Sequence, residues 1–384
     1  MKPNFVAEGA SRYVAGKVGR FDQKNEMFCR TIWDPEVSEM GRQLWGKPGE
    51  PHETRPGYTL KDYALENAAW YLPIEYTEGN VVGNRGLYRW DTKLWGVYSK
   101  PKTGVSLPVD DLQKMTNAIK KIAKFFGASL VGVCELDRRW LYSHEYYIRT
   151  KEHTPIDIPE EYKYAIALAF EMDYELIRMS PTHTHGLTIG TGYARMAFVG
   201  SLLAQFIRLI GYKAIPMGND TATSVPIAID AGLGELGRLG VLITPELGPR
   251  IRLSKVFTNL PLVPDKPIEF GVWDFCMKCQ KCARNCPGQA ILCGEPTDQT
   301  NSISNREGVL RWPIQAEKCF AWFARNGGDC SNCIRVCPFN KPSGWHHSAV
   351  KWGVNNTRWL DSFFIRADDA LGYGRQVKAE RFWE

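Results

Sequence analysis

Nine of the 11 cysteines in this chain of 384 residues fall between Cys276 and Cys337, and eight of them form two runs. The first is Cys276-x2-Cys279-x2-Cys282-x3-Cys286-Pro287; the second is Cys319-x10-Cys330-x2-Cys333-x3-Cys337-Pro338. Three thiolates at successive two-residue spacing can meet three irons on one tight turn. The fourth iron must be met from a distance, and in the bacterial-ferredoxin pattern the cysteine before proline reaches across to the other cluster. On that pattern Cys276, Cys279, Cys282 and Cys337 hold one [4Fe–4S] cluster, while Cys286, Cys319, Cys330 and Cys333 hold a second. A pair of four-cysteine zinc sites would also use CxxC pairs, but it has no need of the triple spacing followed by Cys-Pro. Iron–sulfur is the better reading. A disulfide scaffold would spread its bridges through a small secreted chain, not crowd them into one segment of a long one. Cys293 is surplus to eight ligands and is expected to be a small buried residue.

Two clusters joined to a chain of this length argue against a bare electron carrier. They are better placed to feed electrons into a second redox centre held by the rest of the molecule. The net charge of +6 is spread without a block of like charges, so nucleic acid is weakly indicated at most. The lysines at 120, 121 and 124 read as the wet face of a helix. The longest apolar stretch, Ala197 to Ala204, is far short of the roughly 18 residues that a membrane span needs.

The elements that must position this chemistry divide the chain in four. Residues 1–108 are rich in Gly, Pro and aromatics with little periodicity, and read as an extended layer wrapped on the remainder. Residues 109–265 carry alternating helical and strand patterns around one main sheet, either α/β or α+β. Asp110 is the expected cap of a helix through Phe126, with Gly127 closing it. Strands are expected at 129–136 and 164–170, a long helix at 191–210, a strand at 212–216 and further short elements at 225–229, 240–244 and 251–257. Pro261 to Pro267 forms the linker into the cysteine region at 266–345, and 346–384 is a tail packing on the core. All 13 tryptophans lie at or before Trp140 or at or after Trp273. Two aromatic segments therefore flank the core, either as plain packing or as the walls of a dry pocket for an apolar ligand.

Two motifs carry little weight. Gly232-Leu233-Gly234-Glu235-Leu236-Gly237 fits GxGxxG, but no βαβ unit surrounds it. His183 and His185 form an HxH without further ligands nearby, so a loop lining a pocket is the better expectation. His346-His347 reads the same way.

The cysteine runs, VWDFCMKCQKCARNCPGQAI (272–291) and CIRVCPFNK (333–341), together resemble the corrinoid-dependent reductive dehalogenases. So do GYARMAF (192–198), GNDT (218–221) and AIDAGLGELGRLGVLITPELGPRIR (228–252). The resemblance covers roughly 110–345 well and the aromatic N-terminal layer loosely. It implies an α+β fold, with a nitroreductase-like, B12-processing-like core that binds a base-off corrinoid, and a C-terminal ferredoxin-like region with the two [4Fe–4S] clusters. It further implies that Tyr193 donates a proton to the substrate carbon, that Arg252 holds that tyrosine, and that Asn219 is a polar pocket residue. A phenol with a pKa near 10 suits proton delivery to a carbanion-like centre, and a guanidinium stabilises the phenolate left behind.

The expected substrate is a small chlorinated aliphatic compound: a chloroalkane such as chloroform or trichloroethane slightly ahead of a chloroethene, since no group to hold a phenol oxygen is evident. Family members usually carry a twin-arginine signal, which this N-terminus does not show. A mature form at the outer face of the cytoplasmic membrane, with a small membrane-anchor partner, is expected on that ground; the sequence by itself reads as cytoplasmic. Two rivals remain. An epoxyqueuosine reductase would need a concentrated basic face for tRNA, and a ferredoxin-like carrier would hold iron but no cobalt.

Overall fold

The structure, a computed structural model, describes residues 3–45, 54–91, 105–342 and 344–384. A short strand β1 (Asn4–Phe5) is followed by helices α1 (Met27–Trp33), α2 (Pro35–Trp45) and α3 (Leu60–Thr77). The N-terminal segment is thus largely helical where the sequence pointed to extended chain. Its strongest helix hid because apolar residues are spread around the whole of α3, leaving no single stripe to read. The local start signal was present: Thr59 and Asp62 form a capping box.

Helix α4 (Leu112–Phe126) starts one residue later than expected, because Asp111 and not Asp110 accepts the Lys114 N–H. Gly127 closes it in the left-handed region at φ 118°. Then come β2 (Leu130–Glu135), the hairpin β3 (His144–Tyr147) and β4 (Glu152–Pro155), β5 (Tyr164–Glu171) and α5 (Tyr174–Arg178). Helix α6 (His183–Leu209) is followed by β6 (Ala214–Met217), α7 (Ser224–Asp230), β7 (Glu235–Leu236), β8 (Leu242–Ile243) and β9 (Ile251–Thr258). β10 (Ile268–Glu269) returns to pair with β1.

The main sheet has the order β2-β5-β9-β6, and every neighbouring pair is antiparallel. That settles the choice between α/β and α+β in favour of α+β. Its two faces follow the strand alternation. Val131, Val133, Ile166, Leu168, Phe170 and Val256 pack under α4 and α6. Ala165, Ala167, Ala169 and Phe257 face α7 and the aromatic residues Trp140 and Tyr142.

Helix α6 begins eight residues before its periodic part, at His183, so this HxH lies in a first helical turn and not in a loop. Glycines disguise that turn, and two of them are required by close approach. A Cβ at Gly186 would lie 1.8 Å from Glu66 Oε1, and one at Gly192 would lie 2.9 Å from Arg252 Cγ. The second places the β9 arginine directly against the helix that carries Tyr193.

The cysteine region is built from α8 (Val272–Lys278), α9 (Lys281–Arg284), α10 (Ala316–Asn326) and α11 (Asn332–Arg335). Helices α12 (Trp345–Asn356) and α13 (Asp361–Ala370) follow. The tail packs on the cysteine region as well as on the core: Asp361 pairs with Lys278, and Asp368 with both Lys281 and Lys341. Its end returns to α3, where Trp383 Nε1 donates to Asp62 Oδ1 at 2.8 Å.

Candidate active site

The three residues expected to act together do meet. Tyr193 comes from α6, Arg252 from β9 and Asn219 from the loop after β6, and all three are half-buried. Asn219 Nδ2 donates to the Tyr193 hydroxyl at 3.0 Å. The Arg252 guanidinium carbon lies 4.9 Å from the centre of the Tyr193 ring. The Trp70 ring of α3 also lies 4.9 Å from Tyr193, at a tilt of 32°. The phenol is therefore held by an amide donor, a fixed cation and an indole wall. Arg252 Nε is buried without a hydrogen-bond partner among the described residues, and the Arg252 charge also bears on the buried Asp329 carboxyl, whose pKa burial raises to about 7.

Beneath Asn219 lies a clamp that sequence reasoning missed. Lys255 is fully buried, and its ammonium donates to Gly218 O at 2.6 Å, Asp220 O at 3.2 Å and Ser224 Oγ at 3.0 Å. Asp220 in turn accepts from Gly218 N and Thr221 Oγ1, both at 2.7 Å. The loop is gripped on both sides of Asn219. Burial lowers the Lys255 pKa to about 8, against the opposing charges of Asp220 and Glu26. Alternation could have flagged this residue: Leu253, Lys255 and Phe257 share one strand face, and a lysine between half-buried Leu253 and buried Phe257 is out of place.

A second buried group lies alongside. Tyr142 donates to Glu26 Oε1 at 2.6 Å, and burial pushes the Glu26 pKa from its ordinary 4.5 to about 7 despite that bond. Folding thus favours protonated Glu26, so its stabilising contribution is complete below about pH 4.5 and is lost as pH rises through about 7. We expect Glu26→Gln to remove that loss, raising stability at pH 8 by up to about 3 kcal/mol relative to wild type and little at pH 4.5; chemical denaturation at the two pH values checks it.

Tyr142 and Glu26 border a cavity of about 270 Å³ between the core and the cysteine region, walled by Tyr13, Trp140, Ile229, Arg306 and Trp312. Both aromatic flanks contribute to it, as the pocket reading of the tryptophans requires. Trp273 packs against Trp312 at a tilt of 42°, with ring centres 4.5 Å apart.

The thiols fall into two spatial groups. Burial raises the Cys276 and Cys282 pKa values, and Cys276, Cys279 and Cys337 repel one another as thiolates. Burial likewise lifts Cys319 to about 12, with Cys330 and Cys286 adding to it, and Cys333 feels Cys286, Cys319 and Cys330. No cysteine is in a disulfide. Eight soft donors in two sets fit two iron–sulfur clusters, to which the thiolate form binds. Cys293, expected as buried, is exposed. It follows the first run in a surface turn where only its carbonyl is used, accepting from Gln280.

His183 Nδ1 contacts Glu66, and His185 is fully buried with its pKa depressed to about 3, first by burial and then by Arg252 and Arg335. His347 is held by Pro342 O at 3.0 Å and the Tyr373 hydroxyl at 2.9 Å, while the His346 side chain lies outside the described residues. The GxGxxG segment forms the β7–β8 hairpin, and Arg238 just beyond it caps the carbonyls of Cys276 and Leu292.

Residues 275–341 match the 4Fe-4S dicluster domain family. The chain is 39% identical to the tetrachloroethene reductive dehalogenase of Sulfurospirillum multivorans over 355 residues, which cover 84% of this chain and 70% of that protein. A solved catabolic reductive dehalogenase shares the fold at a TM-score of 0.71 and 23% identity, covering 98% of this chain. The chain spans 50% of that solved protein's length. An epoxyqueuosine reductase of Bacillus cereus is 34% identical over 120 residues, only 30% of this chain.

Proposed function

Because the chain belongs to the reductive dehalogenases, we propose that it replaces halogen by hydrogen in small chlorinated aliphatic compounds, with chlorinated ethenes foremost. The relative's name moves the expectation from chloroalkanes such as chloroform to ethenes. In the balanced step the carbon–halogen bond breaks, two electrons and one proton enter, and halide leaves.

The observation that carries this reading is the meeting of Tyr193, Asn219 and Arg252. Tyr193 is placed to release its hydroxyl proton to the substrate carbon. The phenolate left behind keeps the Asn219 N–H bond and the Arg252 charge, both of which strengthen as negative charge develops. Trp70 excludes water from one side of the ring. The eight cysteines would hold two clusters that would supply the electrons. When bound, the corrinoid supplies the reduced cobalt on which the carbon–halogen bond is broken. Lys255 acts as a positioning residue. Lys255→Met strips three acceptors of their donor and frees the Asn219 loop. We expect kcat to fall about tenfold with KM nearly unchanged, the loss of roughly one well-made hydrogen bond at the transition state; steady-state kinetics on the soluble variant checks it.

The family resemblance supports a site of action at the outer face of the cytoplasmic membrane with a small anchor subunit. Among the described residues no helix is long and apolar enough to cross a membrane. The test of the proposed chemistry is metal content. Protein purified without oxygen from corrinoid-supplied cells should hold about one cobalt per eight irons, the count for two four-iron clusters. Iron without cobalt, with corrinoid uptake verified, would overturn it in favour of an electron carrier.

A further inference from the structure

We propose that Asp22, His144 and His153 form a binding site for a divalent transition-metal ion, far in sequence from the cysteines, which staples the N-terminal segment onto the β3–β4 hairpin. One ligand atom from each residue lies within 4.8 Å of the other two. His153 Nε2 stands 3.0 Å from both carboxylate oxygens of Asp22. The two imidazoles lie face to face, with ring centres 4.6 Å apart and a tilt of 30°.

The arrangement is set by backbone pairing. In the hairpin, His144 faces Pro155 and His153 faces Tyr146, so the two histidines are diagonal neighbours on one face. The segment bearing Asp22 is laid alongside by Ser143 N donating to Phe21 O at 2.8 Å. Arg20 reinforces it, donating to Ile156 O at 2.6 Å. All three ligands therefore arrive on fixed main chain.

The outer contacts also suit a metal. The Nδ1 of His144 is 3.1 Å from Ser143 Oγ, a contact that leaves its Nε2 for a cation. Asp22 Oδ1 accepts from Lys24 N at 3.0 Å. Such second contacts orient ligands and fix the tautomer. Two imidazoles and one carboxylate suit zinc-like cations; magnesium and calcium prefer oxygen throughout. Three protein ligands leave a position for water, and the Asp22 and His153 side chains are 27% and 33% exposed, which gives the ion a way in. The staple has a consequence for the cavity, since Phe21, Glu26 and Tyr142, from the two stapled segments, line it.

The test uses anaerobic holoprotein with its clusters intact. It is equilibrated with zinc chloride, desalted and assayed for zinc and iron. Wild type should retain one zinc per chain with iron unchanged, and Asp22→Asn, His144→Asn and His153→Asn should each lose the zinc while keeping the iron. Zinc retained equally by the variants, or none retained by wild type, overturns the proposal. Zinc-edge X-ray absorption on wild type alone decides the case if a variant fails to fold. A shell of nitrogen and oxygen supports the site, whereas sulfur in the shell puts the metal on cluster cysteines and overturns it.

Discussion

Replacing Tyr193 by phenylalanine should lower dechlorination by about 10²- to 10⁴-fold, the range for loss of a positioned general acid, while iron and cobalt contents stay at wild-type levels. The ring still fits against Trp70 at 4.9 Å and under Arg252, so only the hydroxyl and its bond to Asn219 are removed. Retained metal with lost turnover separates chemistry from folding. A phenylalanine variant that releases chloride at the wild-type rate would refute the proton-donor assignment, and water would then be the better candidate.

The second large effect concerns the crossed cysteines. Cys337→Ala should reduce iron from about eight to about four per chain, since it removes the fourth ligand of one cluster only. Iron content of that variant alone cannot tell which cluster was lost, but a double variant can. If Cys337 shares a cluster with Cys276, adding Cys276→Ala should cost little further iron, because both substitutions destroy the same site. If the runs are not crossed, the double variant should hold almost none. The electrostatic proximity of Cys276 to Cys337 favours the first outcome.

The site was legible where chemistry constrains residue type tightly. Cluster ligation demands thiolates at set spacings, so the eight cysteines stood out in the linear sequence. The apolar runs of β2 and β5 marked a covered sheet, although only pairing shows that it is antiparallel. Tyr193, Asn219 and Arg252 were reached by resemblance, because a lone tyrosine in a helix, an asparagine in a turn and an arginine in a strand are each ordinary on their own. Trp70 was invisible for a different reason: it lies on α3, whose apolar residues circle the helix, and it meets Tyr193 across more than a hundred residues of sequence. The start of α6 was lost under glycines that exist to admit Glu66 and Arg252. Close packing selected residues that weaken the local signal.

The most direct measurement is chloride release from tetrachloroethene in deuterated water, using anaerobically purified protein with about one cobalt per eight irons and a reduced viologen as electron source. The account predicts chloride and trichloroethene in equal amounts, with one solvent deuterium on the product carbon, at a rate about 10²- to 10⁴-fold lower in Tyr193→Phe. Chloride release no faster than that of free corrinoid at the same cobalt concentration would contradict it.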